Sequence, residues 1–391
     1  MVSSFRTLII AACLLMTEAT PLLKKKGLSF DYNGSKVRGV NLGGWFVLEP
    51  WITPSLFYGS WVDEYTLTQT LGKSASQNLL NAHWATWITQ NDFNEIASVG
   101  LNHVRIPIGY WALNPLPGDP YVQGQLTYLD KAIGWARQAG LKVILDVHGA
   151  PGSQNGFDNS GRKGPVTWTQ GDTTKQTLAA IQTLAYRYAP ATDVVTGIEL
   201  LNEPANWALD MGAVKQFYYD VVIHDAFLSP PSWNGFMNYQ SGVNDIILDT
   251  HIYQIFSFAE VAMKPCQHVQ VACSQVGNLA NTDKWTIVGE FSGAQTDCAK
   301  WLNGFGVGSR YDGSYPGSPA WYGSCQTKDV GTVDGLLEVD KVNLAYFMEA
   351  QLDAYEAHSG WVFLDVEDGI CSRMALPKSD KSGIDPAAFD E

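Results

Sequence analysis

The chain has 391 residues, of which 46% are hydrophobic and 16% charged, with a formal net charge of −14 at pH 7. That length holds one large α/β barrel or two ordinary domains, and the hydrophobic fraction is ample for a core. The acidic balance argues against nucleic acid or an anionic membrane as partner, since both select basic surfaces, and leaves a neutral substrate open. The N-terminus reads as a secretory signal over residues 1–19: Arg6 precedes an apolar stretch from Leu8 to Met16, and Ala19 offers a small residue for cleavage. That stretch is too short to span a bilayer, so an exported protein without a membrane span is expected. Residues 20–36 form a propeptide or N-terminal segment, in which Lys24-Lys25-Lys26 is either a second processing site or an exposed polar run. Asn33-Gly34-Ser35 is an N-glycosylation sequon, meaningful if the chain is exported.

From residue 37 onward, strand-like runs alternate with amphipathic ones, the pattern of a parallel sheet. The strand-like runs cover residues 38–42, 103–107, 142–148, 194–201, 221–224, 245–251, 286–290 and 360–363. Helical spacing of apolar residues marks 129–139, 174–188 and 341–358. Eight strands with intervening helices, and no linker or short repeat, predict a single (β/α)8 barrel over residues 37–363. Gly and Pro gather just after strand ends, in Gly149-Ala150-Pro151-Gly152-Ser153 and across residues 303–308, where barrel enzymes build loops around a site. Cys13 leaves with the signal, so five cysteines remain: Cys266, Cys273, Cys298, Cys325 and Cys371. Cys298 and Cys325 bracket a Gly-rich insertion and are expected to form a disulfide. No C-x-x-C or H-E-x-x-H spacing suggests a metal.

The strand ends carry the chemistry. Glu203 closes an apolar run in Leu201-Asn202-Glu203-Pro204, and Glu290 closes another in Val288-Gly289-Glu290-Phe291. A buried strand that stops on a carboxylate presents it at the face where parallel barrels place their sites. Two carboxylates across one cavity are what glycoside hydrolysis requires. Arg105, His148, Asn202, His251 and Tyr253 also fall at strand ends, and a purely structural sheet has no reason to gather titratable groups there. Taken singly, each has an ordinary use: Glu203 as a loop cap, Glu290 in a buried ion pair, Asn202 in a turn, and the aromatics in a core.

Five segments decide between these readings. They are Arg38-Gly39-Val40-Asn41-Leu42-Gly43-Gly44-Trp45-Phe46-Val47-Leu48-Glu49-Pro50, Asp146-Val147-His148-Gly149-Ala150-Pro151-Gly152-Ser153-Gln154-Asn155-Gly156, Leu201-Asn202-Glu203-Pro204, Asp249-Thr250-His251-Ile252-Tyr253 and Gly289-Glu290-Phe291-Ser292. Through them the chain resembles the fungal exo-β-1,3-glucanases of glycoside hydrolase family 5, over nearly all of residues 39–363. The resemblance implies Glu203 as general acid/base and Glu290 as nucleophile in a retaining double displacement, with the carboxylates about 5–5.5 Å apart. It implies Arg105 beside Glu290, Asn202 on the sugar 2-hydroxyl, and Tyr253 donating to Glu290. His148, His251, Glu49 and Asn159 would contact the reactive sugar, and Phe157 and Phe256 would clamp a second glucose at the cleft mouth. It implies no cofactor, since carboxylates alone supply acid, base and nucleophile. The implied partner is β-glucan and the implied setting is outside the cell, at the cell wall, with the enzyme acting as a monomer. A related activity on another linkage, or a glucan-binding relic without catalysis, are the rival readings.

After Trp361-Val362-Phe363 the resemblance stops, and residues 364–391 carry no core pattern. Family members continue Trp-x-Trp-Lys-Thr-Glu, the first Trp forming the floor beneath the reactive sugar. One codon spelling of residues 364–369, TTG GAC GTG GAA GAC GGA followed by A, gives Trp-Thr-Trp-Lys-Thr-Glu when read one base later. A frame slip in the tail is therefore expected. It would leave the eighth strand and the C-terminal helix incomplete, exposing a sheet edge. It would also remove the usual partner of Cys273, leaving Cys266, Cys371 or no bond.

Overall fold

The computed structural model describes residues 29–218, 222–238, 240, 243, 245–328 and 333–364. The signal segment, Cys13, the lysine run, Val221, Cys371 and the tail beyond Leu364 lie outside the described residues. Eight parallel strands form one sheet: β1 (Val37–Asn41), β2 (His103–Gly109), β3 (Lys142–Gly149), β4 (Val195–Glu199), β5 (Ile223–His224), β6 (Ile247–Ile252), β7 (Trp285–Phe291) and β8 (Gly360–Phe363). The order β4-β3-β2-β1-β8-β7-β6-β5 becomes a ring because Glu199 bridges Val222 and the Leu200 N–H donates to the Val222 carbonyl at 3.1 Å. The architecture is a (β/α)8 barrel.

β8 has four residues, yet it pairs with β1 on one side and β7 on the other. The open edge expected there is absent as far as Phe363, because strand pairing uses backbone groups that a change of side chain does not remove. The Leu364 N–H continues the ladder onto the Phe291 carbonyl at 3.0 Å. Helices α1 (Glu64–Thr86), α2 (Gln90–Ser98), α3 (Gln125–Ala139), α4 (Thr173–Tyr188), α5 (Met211–Phe217), α6 (Pro265–Ala280) and α7 (Glu338–Tyr355) pack outside the ring. α1 escaped the sequence pattern: it is rich in Thr, Ser and Asn, and it breaks at Gly72, whose φ of +74° no helix interior allows. Its start is fixed by a reciprocal cap, Asp63 accepting from the Thr66 N–H at 2.7 Å while the Asp63 N–H meets Thr66 Oγ1. Among the described residues, no helix is long and apolar enough to cross a membrane.

The barrel interior is layered. Val37, Ile144, Val222, Ile247, Ile287 and Val362 fill the base, closed from below by Phe30 and Tyr32. Tyr32 is buried and stacks on Trp285, so the folded unit reaches back at least to Phe30 and does not begin at Val37. Asn33 of the sequon lies exposed beside this plug, its Oδ1 accepting from Trp285 Nε1. One strand step above the base, the alternation of side chains places Arg105, Asp146, Glu199 and Asp249 inside the ring, all fully buried. The next step up is the open rim.

Cys298 and Cys325 are bonded, 27 residues apart, while Cys266 and Cys273 on α6 have no disulfide partner among the described residues. Closing a loop of that length removes unfolded-chain entropy, so Cys298→Ser with Cys325→Ser is expected to cost about 2–4 kcal/mol in denaturant unfolding.

Candidate active site

Each strand supplies the rim through its C-terminal end. Glu203 lies just past β4, at φ +48°, a left-handed conformation that few residues with a Cβ adopt. This turn aims the carboxylate back over the barrel mouth, where it is 6% exposed. Its Oε1 is 2.8 Å from His251 Nδ1, and its Oε2 accepts from Asn159 Nδ2 at 2.9 Å. Glu290, near the end of β7, accepts from Arg105 through Oε1 and from the Tyr253 hydroxyl through Oε2, both at 2.9 Å. His251 Nδ1 also stands 3.4 Å from Glu290 Oε2. The two glutamate oxygens that meet at this nitrogen are thus no farther apart than the two legs end to end. That ceiling of about 6 Å lies below the roughly 6.5–9.5 Å of inverting pairs and admits the 5–5.5 Å of retaining ones.

Arg105 holds the centre. Its guanidinium donates to Glu199 Oε2 at 2.8 Å, to Asn41 Oδ1, Glu290 Oε1 and Asn202 Oδ1 at 2.9 Å each, and reaches Asp146 Oδ2 at 3.1 Å. Asn202 is fixed a second time by Gln154, whose Nε2 donates to the carbonyls of both His148 and Asn202. The Asn202 amide nitrogen is buried and without a protein partner, so it is left as an unused donor. His148 is anchored through Nδ1 on Asp146 Oδ2 at 2.6 Å, with Nε2 turned toward Glu49 Oε1 at 3.9 Å. Glu49 takes the Trp51 indole N–H on Oε2. The loop that carries it is pinned by buried Glu64, which accepts from the Leu48 N–H and from Trp111 Nε1. Between these groups lies a small pocket, lined by Asn41, Glu49, Pro107, His148, Asn159 and Glu290, among others. Leu364 also lines it, at the position where the resemblance expects a tryptophan.

Electrostatics divide the rim from the interior. Burial raises Glu203 above the ordinary carboxylate value, against the pull of the Asn159 hydrogen bond and of the Arg105 charge. Burial likewise lifts Asp146 to about 7, with Arg105 opposing, and depresses His148 and His251 to about 4. Both imidazoles are therefore neutral donors and acceptors at neutral pH.

Residues that strand-end reasoning missed lie one step deeper: Asp146, Glu199 and Asp249. The signal was present as period-two alternation, Ile144-x-Asp146-x-His148 and Ile247-x-Asp249-x-His251. Phe157 and Phe256 sit at the mouth, 41% and 45% exposed. Trp207 and Phe227, also missed, continue from Phe157 as a row with ring centroids 6.2 and 5.2 Å apart.

Two groups bring metal-capable atoms within 4.8 Å of one another, Glu203 with His224 and His251, and Glu199 with Asp249 and His251. Neither suits a cation. His224 Nδ1 accepts the Ala226 N–H, which puts its proton on Nε2, and the Arg105 charge lies 2.8 Å from Glu199.

Comparison with known proteins gives the family. The model for cellulases of glycosyl hydrolase family 5 matches residues 68–304. A glucan 1,3-beta-glucosidase of Blumeria graminis is 62% identical, the match covering 94% of this chain and 91% of that one. The chain belongs to glycosyl hydrolase family 5. A second family 5 relative, a probable glucan 1,3-beta-glucosidase A of Neosartorya fischeri, is 50% identical over 91% of this chain and 89% of its own. Among solved structures, the rutinosidase of Aspergillus niger shares the fold, with a TM-score of 0.64 at 19% identity over 85% of this chain and 90% of that one.

Because the Asn159 amide stabilises the ionised form of Glu203, Asn159→Ala is expected to raise the Glu203 pKa further. Carbon-13 NMR titration of the side-chain carboxyl reads this directly, and a downward shift would contradict the contact.

Proposed function

We propose that this chain is a secreted, retaining exo-β-1,3-glucosidase that releases glucose from the non-reducing end of β-1,3-glucan. The observation that carries the reading is the pair of rim carboxylates, Glu203 and Glu290, meeting at one imidazole nitrogen with a separation that admits a covalent intermediate. The names of the relatives, glucan 1,3-beta-glucosidases, supply the linkage.

Glu290, oriented by Arg105 and Tyr253, attacks the anomeric carbon as the bond to the leaving oxygen breaks. Glu203 gives that oxygen its proton, which its raised pKa keeps available. Glu203, now ionised, then takes a proton from water, and the hydroxide displaces Glu290 from the same carbon. Two inversions restore the configuration. The Asn202 amide, without a protein partner, donates to the 2-hydroxyl, while His148 and Glu49 face the other hydroxyls of the reactive glucose. Phe157 and Phe256 stack on the next glucose at the mouth, and the Trp207–Phe227 row extends that platform outward.

Release from a chain end needs a pocket shut on one side. The loop after β7 reaches the loop after β3, from the opposite side of the ring: a Cβ at Gly304 would lie 2.5 Å from Lys163 Nζ. This contact supports end-on entry over a through-running cleft. Action as a monomer at the cell wall, after removal of residues 1–19, completes the reading.

Glu290→Gln keeps the shape but cannot act as nucleophile, so laminarin hydrolysis should fall by on the order of 10³-fold or more. Proton NMR of the first product should show the β-anomer. An α-anomer would sink the double displacement, and laminarin binding without glucose release would favour the relic.

The tail is part of the proposal. Leu364 stands where a tryptophan would floor the sugar, so Leu364→Trp, and more fully a chain with the tail frame restored, is expected to raise kcat/KM on laminarin. Equal rates for all three chains would mean that Leu364 and the native tail suffice.

A further inference from the structure

We propose that Asp249 is a positioning residue for Glu290, holding in place the one-residue bulge in β7 that turns the Glu290 carboxylate into the barrel. The inference rests on the reading of Glu290 given above.

Strict alternation along β7 would point Glu290 the wrong way. Ile287 faces in among the base layer and Val288 faces out into the main core. Gly289 faces in again, since a Cβ there would lie 2.0 and 2.1 Å from the Asp249 carboxylate oxygens. The next side chain should therefore turn outward, yet Glu290 reaches Arg105 inside the ring. The register explains this: Thr250 pairs with Val288 and His251 with Glu290, so Gly289 is an extra residue. A bulge of this kind re-aims the residue beside it.

A bulge also frees backbone groups that must find partners. The Gly289 N–H donates to Asp249 Oδ1 at 2.7 Å, and its carbonyl accepts from Asn41 Nδ2 at 2.9 Å. Both side chains are in turn set by Arg105, at 2.9 Å from Asn41 Oδ1 and 3.8 Å from Asp249 Oδ2. Glycine at 289 and aspartate at 249 thus fit one another: the carboxyl group occupies the space a Cβ would need.

The second oxygen says in which form Asp249 does this. Oδ2 has no hydrogen-bond partner, and neither do Glu199 Oε1 nor His251 Nε2, which lies 4.0 Å away. The facing groups are Glu199 from β4, Arg105 from β2, Asp146 from β3, His224 from β5, Glu290 from β7 and His251 on its own strand. With Arg105 the only fixed cation among them, acceptors gathered this closely call for a proton between them. Burial first, then the Glu199 charge, drive the Asp249 pKa well upward. Asp249 is thus a neutral acid, accepting from Gly289 through Oδ1 and keeping Oδ2 for the proton, an arrangement that an amide in its place reproduces.

Three variants test this: Asp249→Asn, Asp249→Leu and Glu290→Gln. The substrate is 2,4-dinitrophenyl β-glucoside, whose leaving group needs no proton, so its kcat/KM reports nucleophilic attack without hydrolysis of the glucosyl-enzyme. Trapping by a 2-deoxy-2-fluoro-glucoside reads the same step. Asp249→Asn is expected to keep kcat/KM within about threefold and the pH profile in place, whereas Asp249→Leu should lower kcat/KM and the rate of trapping by about 10²-fold. Normal trapping by a folded Asp249→Leu, or an Asp249→Asn as impaired as Asp249→Leu, would overturn the proposal. Should Asp249→Leu not fold, Asp249→Asn decides alone: a loss beyond about tenfold, or a displaced pH profile, refutes it. An active Glu290→Gln would instead refute the assignment of the nucleophile, so the two failures remain distinct.

Discussion

One buried guanidinium organises the interior of this barrel. Arg105 has no exposure, and within 4 Å it meets Asp146, Glu199, Asp249 and Glu290. One positive charge cannot balance four negative ones where water is excluded, and leaving a buried charge uncompensated costs roughly 3–5 kcal/mol. The surplus is resolved by holding protons on the deeper acids, as the raised pKa values of Asp146, Glu199 and Asp249 indicate. Depth therefore sorts these carboxyls by role. Those one step below the rim work as fixed hydrogen-bonding groups that hold protons more firmly than an exposed carboxylate, and those at the rim, 6% and 8% exposed, keep access to solvent.

The same depth sorting explains why the histidines are neutral. His148 and His251 are ringed by acids, which would normally favour the imidazolium, yet burial outweighs those charges and brings both to about 4. A neutral His251 can donate to Glu203 when the carboxylate is ionised and, in its other tautomer, accept from it when it is protonated. Asn159 works in the opposite sense, favouring the ionised form alone. The balance between burial and this single amide sets how firmly Glu203 holds its proton.

Much of the architecture was legible from the chain because it depends on local pattern. The strand-like runs place all eight strands within a few residues, and the carboxylates that end two of them mark the rim. What escaped depends on distance. The pairing of Arg105 with Glu199 spans 94 residues and that with Glu290 spans 185, so an interior acid such as Asp249 looks in the sequence like any polar interruption of a strand. α1 was missed for the opposite reason: its local composition disfavours a helix, and its cap and its packing on the core override that preference. Trp207 and Phe227 become a surface only when the loops after β4 and β5 bring them beside Phe157.

The β7 bulge shows where pattern reading must fail at a site. Period-two alternation is the signal that identifies a strand, and a strict strand would have turned Glu290 away from its partners. Function here requires the alternation to break by one residue, at a glycine, with the freed backbone groups taken by Asn41 and Asp249. Those two side chains belong to strands on either side of β7 in the ring, β1 beyond β8 and β6 next to it. The aim of the Glu290 carboxylate is thus a property of barrel closure: it exists only when strands far apart in the chain stand side by side around Arg105.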